Sequence, residues 1–333
     1  MKNISIIILI TGIFLFSQCG KKQDDSIKAV SFNQSVPANQ AELFLKEVIA
    51  TGMNERDAAL SPDGKTFYFT VQFIRNINAI AYTEYKNGKW NKPQLAPFSG
   101  EYSDLEPVFH PDGKRLFFVS NRPFNANGEP KDYDIWYIEH TEKGWGKPVN
   151  PGSPLNTSAN EFYPSFTEEG TIFFCAEREN SIGGEDIFYS EYKEGRYKTP
   201  QNPGNSINSK YAEYNAHVSP DGSYIMYNTH RKGLQGGDIS IAFKNKKGEW
   251  TKPINMGKKI NSDFFEFCPS LSPDGKHLFF TSQRMKPAMK TKDYNYNDLN
   301  KWHNKPQNGN GDIYRINAQV IEELKRIKFG ETF

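Results

Sequence analysis

Five carboxylates recur at one position of a repeated pattern and are the residues of this 333-residue chain best placed to do chemistry. Glu55, Asp104, Glu161, Glu213 and Glu266 each stand eight residues before the third residue of a turn: Ser61-Pro62-Asp63-Gly64, His110-Pro111-Asp112-Gly113, Thr167-Glu168-Glu169-Gly170, Ser219-Pro220-Asp221-Gly222 and Ser272-Pro273-Asp274-Gly275. Gathered at one mouth, they could hold a hard cation such as calcium through oxygen ligands, or act as the acid and base of a polysaccharide lyase or glycoside hydrolase. A repeat also fixes acids for another purpose, capping backbone donors where one unit meets the next. Capping is the reading preferred here, and no cofactor is expected.

Arg122, Arg178, Arg231 and Arg284 recur in the same way, each followed by an acid at Asp134, Asp186, Asp238 or Asp312. The first copy lacks both, having Phe73 and Ala79. That joint loss predicts four structural pairs, Arg122 with Asp134, Arg178 with Asp186, Arg231 with Asp238 and Arg284 with Asp312, each a link that fixes a loop. The six histidines stand far apart with no metal-ligand spacing. No nucleophile elbow or phosphate loop is present. The most individual segment runs from Met285 to Asn310, with Tyr294, Tyr296, Trp302 and His303 among five lysines and two aspartates. Its aromatics offer flat surfaces to sugars or protein side chains, and its lysines favour an acidic partner.

The elements that position these groups follow from the period. The turns return at intervals of 49, 57, 52 and 53 residues, each followed by an aromatic or β-branched run such as Leu116-Phe117-Phe118. A second run follows, as at Asp134-Ile135-Trp136-Tyr137, and then a Gly turn before an aromatic and Pro: Trp90 with Pro93, Trp145 with Pro148, Tyr197 with Pro200, Trp250 with Pro253. Each unit is four short strands, and units of this size describe propeller blades. The chain here resembles the TolB-like, WD-like propeller-repeat family. The resemblance covers residues from about 43 to 316 and implies the fold, while the family's functions range from binding scaffolds to enzymes.

The reading is all-β: one domain over 41–333, with five four-stranded antiparallel blades near 53–100, 101–156, 157–208, 209–261 and 262–316. Residues 43–49 supply the strand missing from the last blade and close the ring, and a short helix follows over 317–329. The loops between second and third strands and the blade-to-blade crossings share one face, here called upper. It carries the irregular sequence and is expected to carry function.

Lys2 and the apolar run Ile4 to Phe16 read as a signal peptide over 1–18, ending at a Cys19 that resembles the lipidated residue of a bacterial lipobox. Residues 19–40 read as a flexible tether whose Lys21-Lys22-Gln23-Asp24-Asp25 resembles an export signal for the outer face of the outer membrane. Lys+Arg 41 against Asp+Glu 39 leaves +2, which gives no reason to expect nucleic acid as a partner. The function expected is therefore a non-catalytic scaffold at the cell surface, attached to the membrane by its lipid, that binds an envelope protein or glycan.

Overall fold

The computed structural model describes residues 27–28, 40–74, 77–124, 128–142, 144–230, 237–285 and 294–330; residues 1–18, expected to be a leader, Cys19, most of the expected tether over 19–40 and Arg231 lie outside them. The fold is a five-bladed β-propeller of small antiparallel sheets. The inner strands are Asn54–Leu60, Asp104–Phe109, Glu161–Phe166, Glu213–Val218 and Glu266–Leu271. Each is followed by a second strand buried on both faces, such as Arg115–Ser120, whose Leu116, Phe117, Phe118 and Val119 are wholly buried. Such a strand packs against neighbours on both sides, so its sequence is a continuous apolar run rather than an alternation.

The turns work as their sequence requires. Ser61 donates its hydroxyl to Asp63 at 2.6 Å and accepts from Thr66 N at 2.8 Å, while Gly64 takes φ 70°, which glycine adopts without steric cost. Apolar clusters fill the seams between blades. Ala59, Tyr68 and Ile80 of blade 1, for example, pack with Phe118, Trp136 and Ile138 of blade 2. Each fully buried aromatic there contributes about 2–3 kcal/mol.

The last blade joins both ends of the chain, because Glu42–Leu43 pairs with Asp312–Asn317, placing Leu43 opposite Tyr314. This closing strand is shorter than the 43–49 expected. Phe44 N still donates to Ile313 O at 2.9 Å, but the chain then turns, with Val48 N and Ile49 N both donating to Leu45 O. The turn is forced by the need to reach the inner strand at Asn54, as the other crossings do at Gly204 and Gly257. Ile27–Lys28 adds a further strand to the outer edge of blade 1, opposite Trp90 and Lys89. The helix Gln319–Phe329 (α2) buries Val320 and Ile321 against blade 5 and ends at Gly330 in the left-handed region.

Candidate functional site

The five repeated acids begin their inner strands, as their spacing required, but they do not line an open mouth. Each is at most 1% exposed, sealed between blades. Glu213 accepts from Ser209 Oγ and Thr229 Oγ1, both at 2.6 Å, and from Ser209 N at 2.8 Å. Glu266 repeats this with Ser262 and Ser282, and Glu161 with Thr157. These carboxylates cap the chain as it enters the inner strand, and no substrate can touch them. Among the described residues no group of three or more His, Cys, Asp or Glu could hold a metal ion.

The arginines pair with these acids and not with the third-strand aspartates. Arg122 meets Asp104 at 2.6 Å, Arg178 meets Glu161 at 3.0 Å and Arg284 meets Glu266 at 3.3 Å. The expected pairs Arg122–Asp134, Arg178–Asp186 and Arg284–Asp312 are therefore incorrect, and Arg231–Asp238 falls on an arginine outside the described residues. The cause lies in strand order. Ser120 has Asp104 opposite on one side and Asp134 on the other, and Arg122 folds toward the inner side, where it also donates to Phe98 O at 3.0 Å and lies over Phe118.

The third-strand aspartates face a motif that spacing alone could have revealed. Asn150-Pro151-Gly152-Ser153-Pro154-Leu155-Asn156 returns as Asn202 to Asn208 and as Asn255 to Asn261. The first Asn of each donates to the aspartate: Asn150 to Asp134 at 2.6 Å, Asn202 to Asp186 at 2.8 Å and Asn255 to Asp238 at 2.6 Å. The second Asn accepts from the next backbone N–H, as Asn208 does from Ile187 N at 2.9 Å, and donates back to the first.

The channel itself is plugged. Two residues after each acid the inner strand bulges, and Asp57, Glu106, Tyr163, Asn215 and Cys268 all take φ between 51° and 62°. Side chains from this ring converge on Arg56, which pairs with Asp57 and with Glu106 at 3.0 Å each and lies 3.3 Å from Cys268 Sγ. Burial pushes the Glu106 carboxyl up, opposed by Arg56. Tyr163 N donates to Glu106 at 2.6 Å and its hydroxyl to Pro269 O at 3.0 Å, tying three blades together. Burial also pushes the nearby His217 down to about 4.

Accessible chemistry lies on the upper face. A cavity of about 800 Å³ over blade 3 is lined by Phe162, Glu177, Arg178, Glu179, Asn180 and Glu185 among others. Burial, with Glu177 adding to it, pushes Glu185 up to about 7. A second cavity of about 600 Å³ lies between the ring-closing loop and the insertion, lined by Thr51 to Asn54, Gln72, Phe73, His303, Asn304 and Asn310.

The insertion contains a helix, Tyr296–His303 (α1), started by an Asn295–Asp298 capping box that the sequence displays. Asn308 Nδ2 donates to His303 O at 2.6 Å and to Gly52 O at 3.0 Å, and Asn310 Nδ2 donates to Gly52 O at 2.9 Å. A Cβ at Gly52 would stand 2.4 Å from His303 O, so only glycine allows this approach. Of the expected ligand-face residues, Tyr296 and His303 are exposed, Tyr294 and Trp302 are half-buried, and the five acids belong to a different, sealed place.

No family model matches the sequence, and no curated protein is similar to it. Among solved structures, TolB from Acinetobacter baumannii is similar at 14% identity and TM-score 0.45, over 79% of this chain and 54% of that one, so the chain spans about half of that TolB. A putative TolB from Agrobacterium tumefaciens is similar at 15% identity and TM-score 0.44, over 80% and 90% of the two chains. An α-L-arabinofuranosidase from Lactobacillus brevis is similar at 14% identity and TM-score 0.46, over 80% and 91%.

Proposed function

We propose that the mature chain is a binding scaffold, held at the outer face of the outer membrane by lipid on Cys19, whose upper face takes up a glycan or an envelope polypeptide. One observation carries the upper-face reading: the insertion is bolted through Gly52 to the ring-closing loop and rims a cavity of about 600 Å³. Met53 and Phe73 in its lining are 45% and 57% exposed, and Tyr296, at the start of the insertion's helix, is 83% exposed. A rigid rim of exposed apolar and aromatic groups on a loop face is the arrangement of a binding surface.

A second reading, cleavage of a glycosidic bond, has lost the five repeated acids to burial and moves to Glu185 and Glu177, two neighbouring carboxyls of which burial raises Glu185 to about 7, as an acid and base pair requires of its acid. A single experiment separates the two. The mature chain is incubated with a glycan panel and with solubilised envelope, and retained partners and new chain ends are scored together. Scaffold binding predicts retention that falls at least tenfold in Tyr296→Ala/Phe73→Ser with an unchanged melting temperature, and no new ends. New reducing or unsaturated ends that vanish in Glu185→Gln would replace it with the hydrolytic or eliminative reading. Labelling with a radioactive fatty acid is expected for the wild type and not for Cys19→Ala.

A further inference from the structure

Two neighbouring seams carry grooves built from matching positions, and their polar groups differ in a telling way. Between blades 1 and 2, a cavity of about 480 Å³ is lined by Thr66, Tyr68, Tyr82, His140 and Trp145, with Asp63 and Glu84 as its acids. Trp145 Nε1 donates to the Tyr68 hydroxyl at 2.9 Å, so the outer aromatic is satisfied.

Between blades 2 and 3 the corresponding cavity measures about 580 Å³. Tyr137 stands for Tyr82, Tyr192 for His140, Tyr197 for Trp145 and Arg115 for Thr66. Phe117 stands for Tyr68 and offers nothing to bond. The Tyr197 hydroxyl is accordingly buried without a hydrogen-bond partner, in a residue 6% exposed that lines the cavity. An unmatched buried donor is costly, and a ligand acceptor would remove the cost.

Charge points the same way. Arg115, Arg196 and Lys198 line this groove, and among the described residues no acidic side chain lines it, Asp112 standing against Arg115 outside the lining. Arg115 is held by Asp112 at 2.7 Å through Nε and by His110 at 3.2 Å through Nη2, contacts that leave Nη1 over. Its guanidinium lies 5.7 Å from the ring centre of Tyr192, which is 37% exposed. The groove thus combines fixed positive charge, an exposed flat ring and an unmet hydroxyl donor, in a volume suited to a small ligand or one or two sugar rings.

We propose that the groove between blades 2 and 3 binds an acidic sugar, a uronate unit of a polysaccharide. Its carboxylate pairs with Arg115 and Arg196, its ring lies on Tyr192 and one of its oxygens accepts from Tyr197. Fixed guanidinium groups favour a carboxylate through paired N–H bonds. The site is independent of the upper-face reading.

Calorimetric titration of the full chain with tri-galacturonate, its methyl ester and penta-aspartate tests the assignment. The acid trimer is expected to saturate one site and to bind at least tenfold more tightly than the ester. Tyr197→Phe is expected to weaken binding three- to tenfold without lowering the melting temperature, since it removes only the unmatched hydroxyl. Arg196→Ala, at an exposed position, is expected to weaken it about threefold and to reduce its salt dependence. Failure of the acid trimer to bind, equal affinity for the ester, penta-aspartate binding as tightly as the trimer, or wild-type affinity in Tyr197→Phe would each overturn it.

Discussion

The seam that closes the ring and the seams inside it solve one problem with different groups. At the internal seams after blades 2, 3 and 4, a third-strand aspartate faces the first acid of the next blade, and asparagines clamp the aspartate. The arginines of blades 3 and 5 neutralise Glu161 and Glu266. At the closing seam both acids remain, as Asp312 and Glu55, while the clamping asparagines and the arginine have been replaced. Leu43 lies opposite Tyr314 as Asn255 lies opposite Ser240, Ile49 turns back to Leu45 as Asn261 does to Gly257, and Phe73 takes the arginine's place.

Glu55 keeps Thr51 and Asp312 keeps Gln307 N, and each has one buried oxygen with no partner, as Asp104 and Asp134 also do, but here, among the described residues, no arginine or asparagine side chain bonds to the acid. Burial pushes both carboxyls up to about 7, with Asp312 adding to the shift of Glu55. The difference teaches that apolar packing has replaced polar clamping where the chain's two ends meet, at the expense of two carboxyls that favour their protons.

The comparison can be broken first by removing the apolar staple. Phe44 contacts Phe67 and Phe279 at ring distances of 4.8 and 4.9 Å and is 2% exposed. Phe44→Ala should cost about 4 kcal/mol in urea denaturation, and a loss under about 1 kcal/mol would mean that packing does not hold the closure.

Titration sharpens the contrast. Because the folded pKa values of Glu55 and Asp312 are raised, their contribution is fully present below the ordinary carboxylate range and is lost as pH rises through about 7. Glu55→Gln mimics the protonated group, so it should match the wild type near pH 4 and be more stable by about 2–3 kcal/mol at pH 8. Asp312 and Glu185, both raised to about 7, and Glu106, also raised, leave a residual slope in both proteins. Parallel stability curves for the two would remove the seam from the account.

The smallest effect expected is from restoring the repeat. Phe73→Arg places a guanidinium where Arg122 and Arg284 stand in other blades, and should add about 1 kcal/mol at pH 8. The gain should vanish in the Glu55→Gln background, and equal gains in both backgrounds would show that the arginine never reaches the acid.

Much of this architecture was legible in the residues. The turn at Ser61 to Gly64 and its four returns carry blade number and strand order, because a turn needing Gly at one position admits few alternatives. Pairing across a strand was not legible: Ser120 has an acid on each side, and only the direction in which Arg122 folds decides between Asp104 and Asp134. The Asn150 to Asn156 motif and the Asn295–Asp298 cap were present in the sequence and readable by spacing. The groove at Tyr197 was not, since an orphan hydroxyl arises only when Phe117 and Tyr197 occupy matched places in adjacent blades.

The closing strand has a mechanical consequence. Glu42–Leu43 is the first described strand upstream of the inner ring to join blade 5, so tension along the chain preceding it is delivered to a seat two residues long. Arg315, which holds Glu42 at 2.6 Å, and the backbone bond from Phe44 to Ile313 bear that load in series. Once they part, the pull passes to the Gly52 bolt under the insertion. A propeller tugged from its amino-terminal side would thus first shed Ile27–Lys28 from the edge of blade 1 and then yield at its latch while the inner strands stay paired, and would spread the insertion away from the ring as it did so.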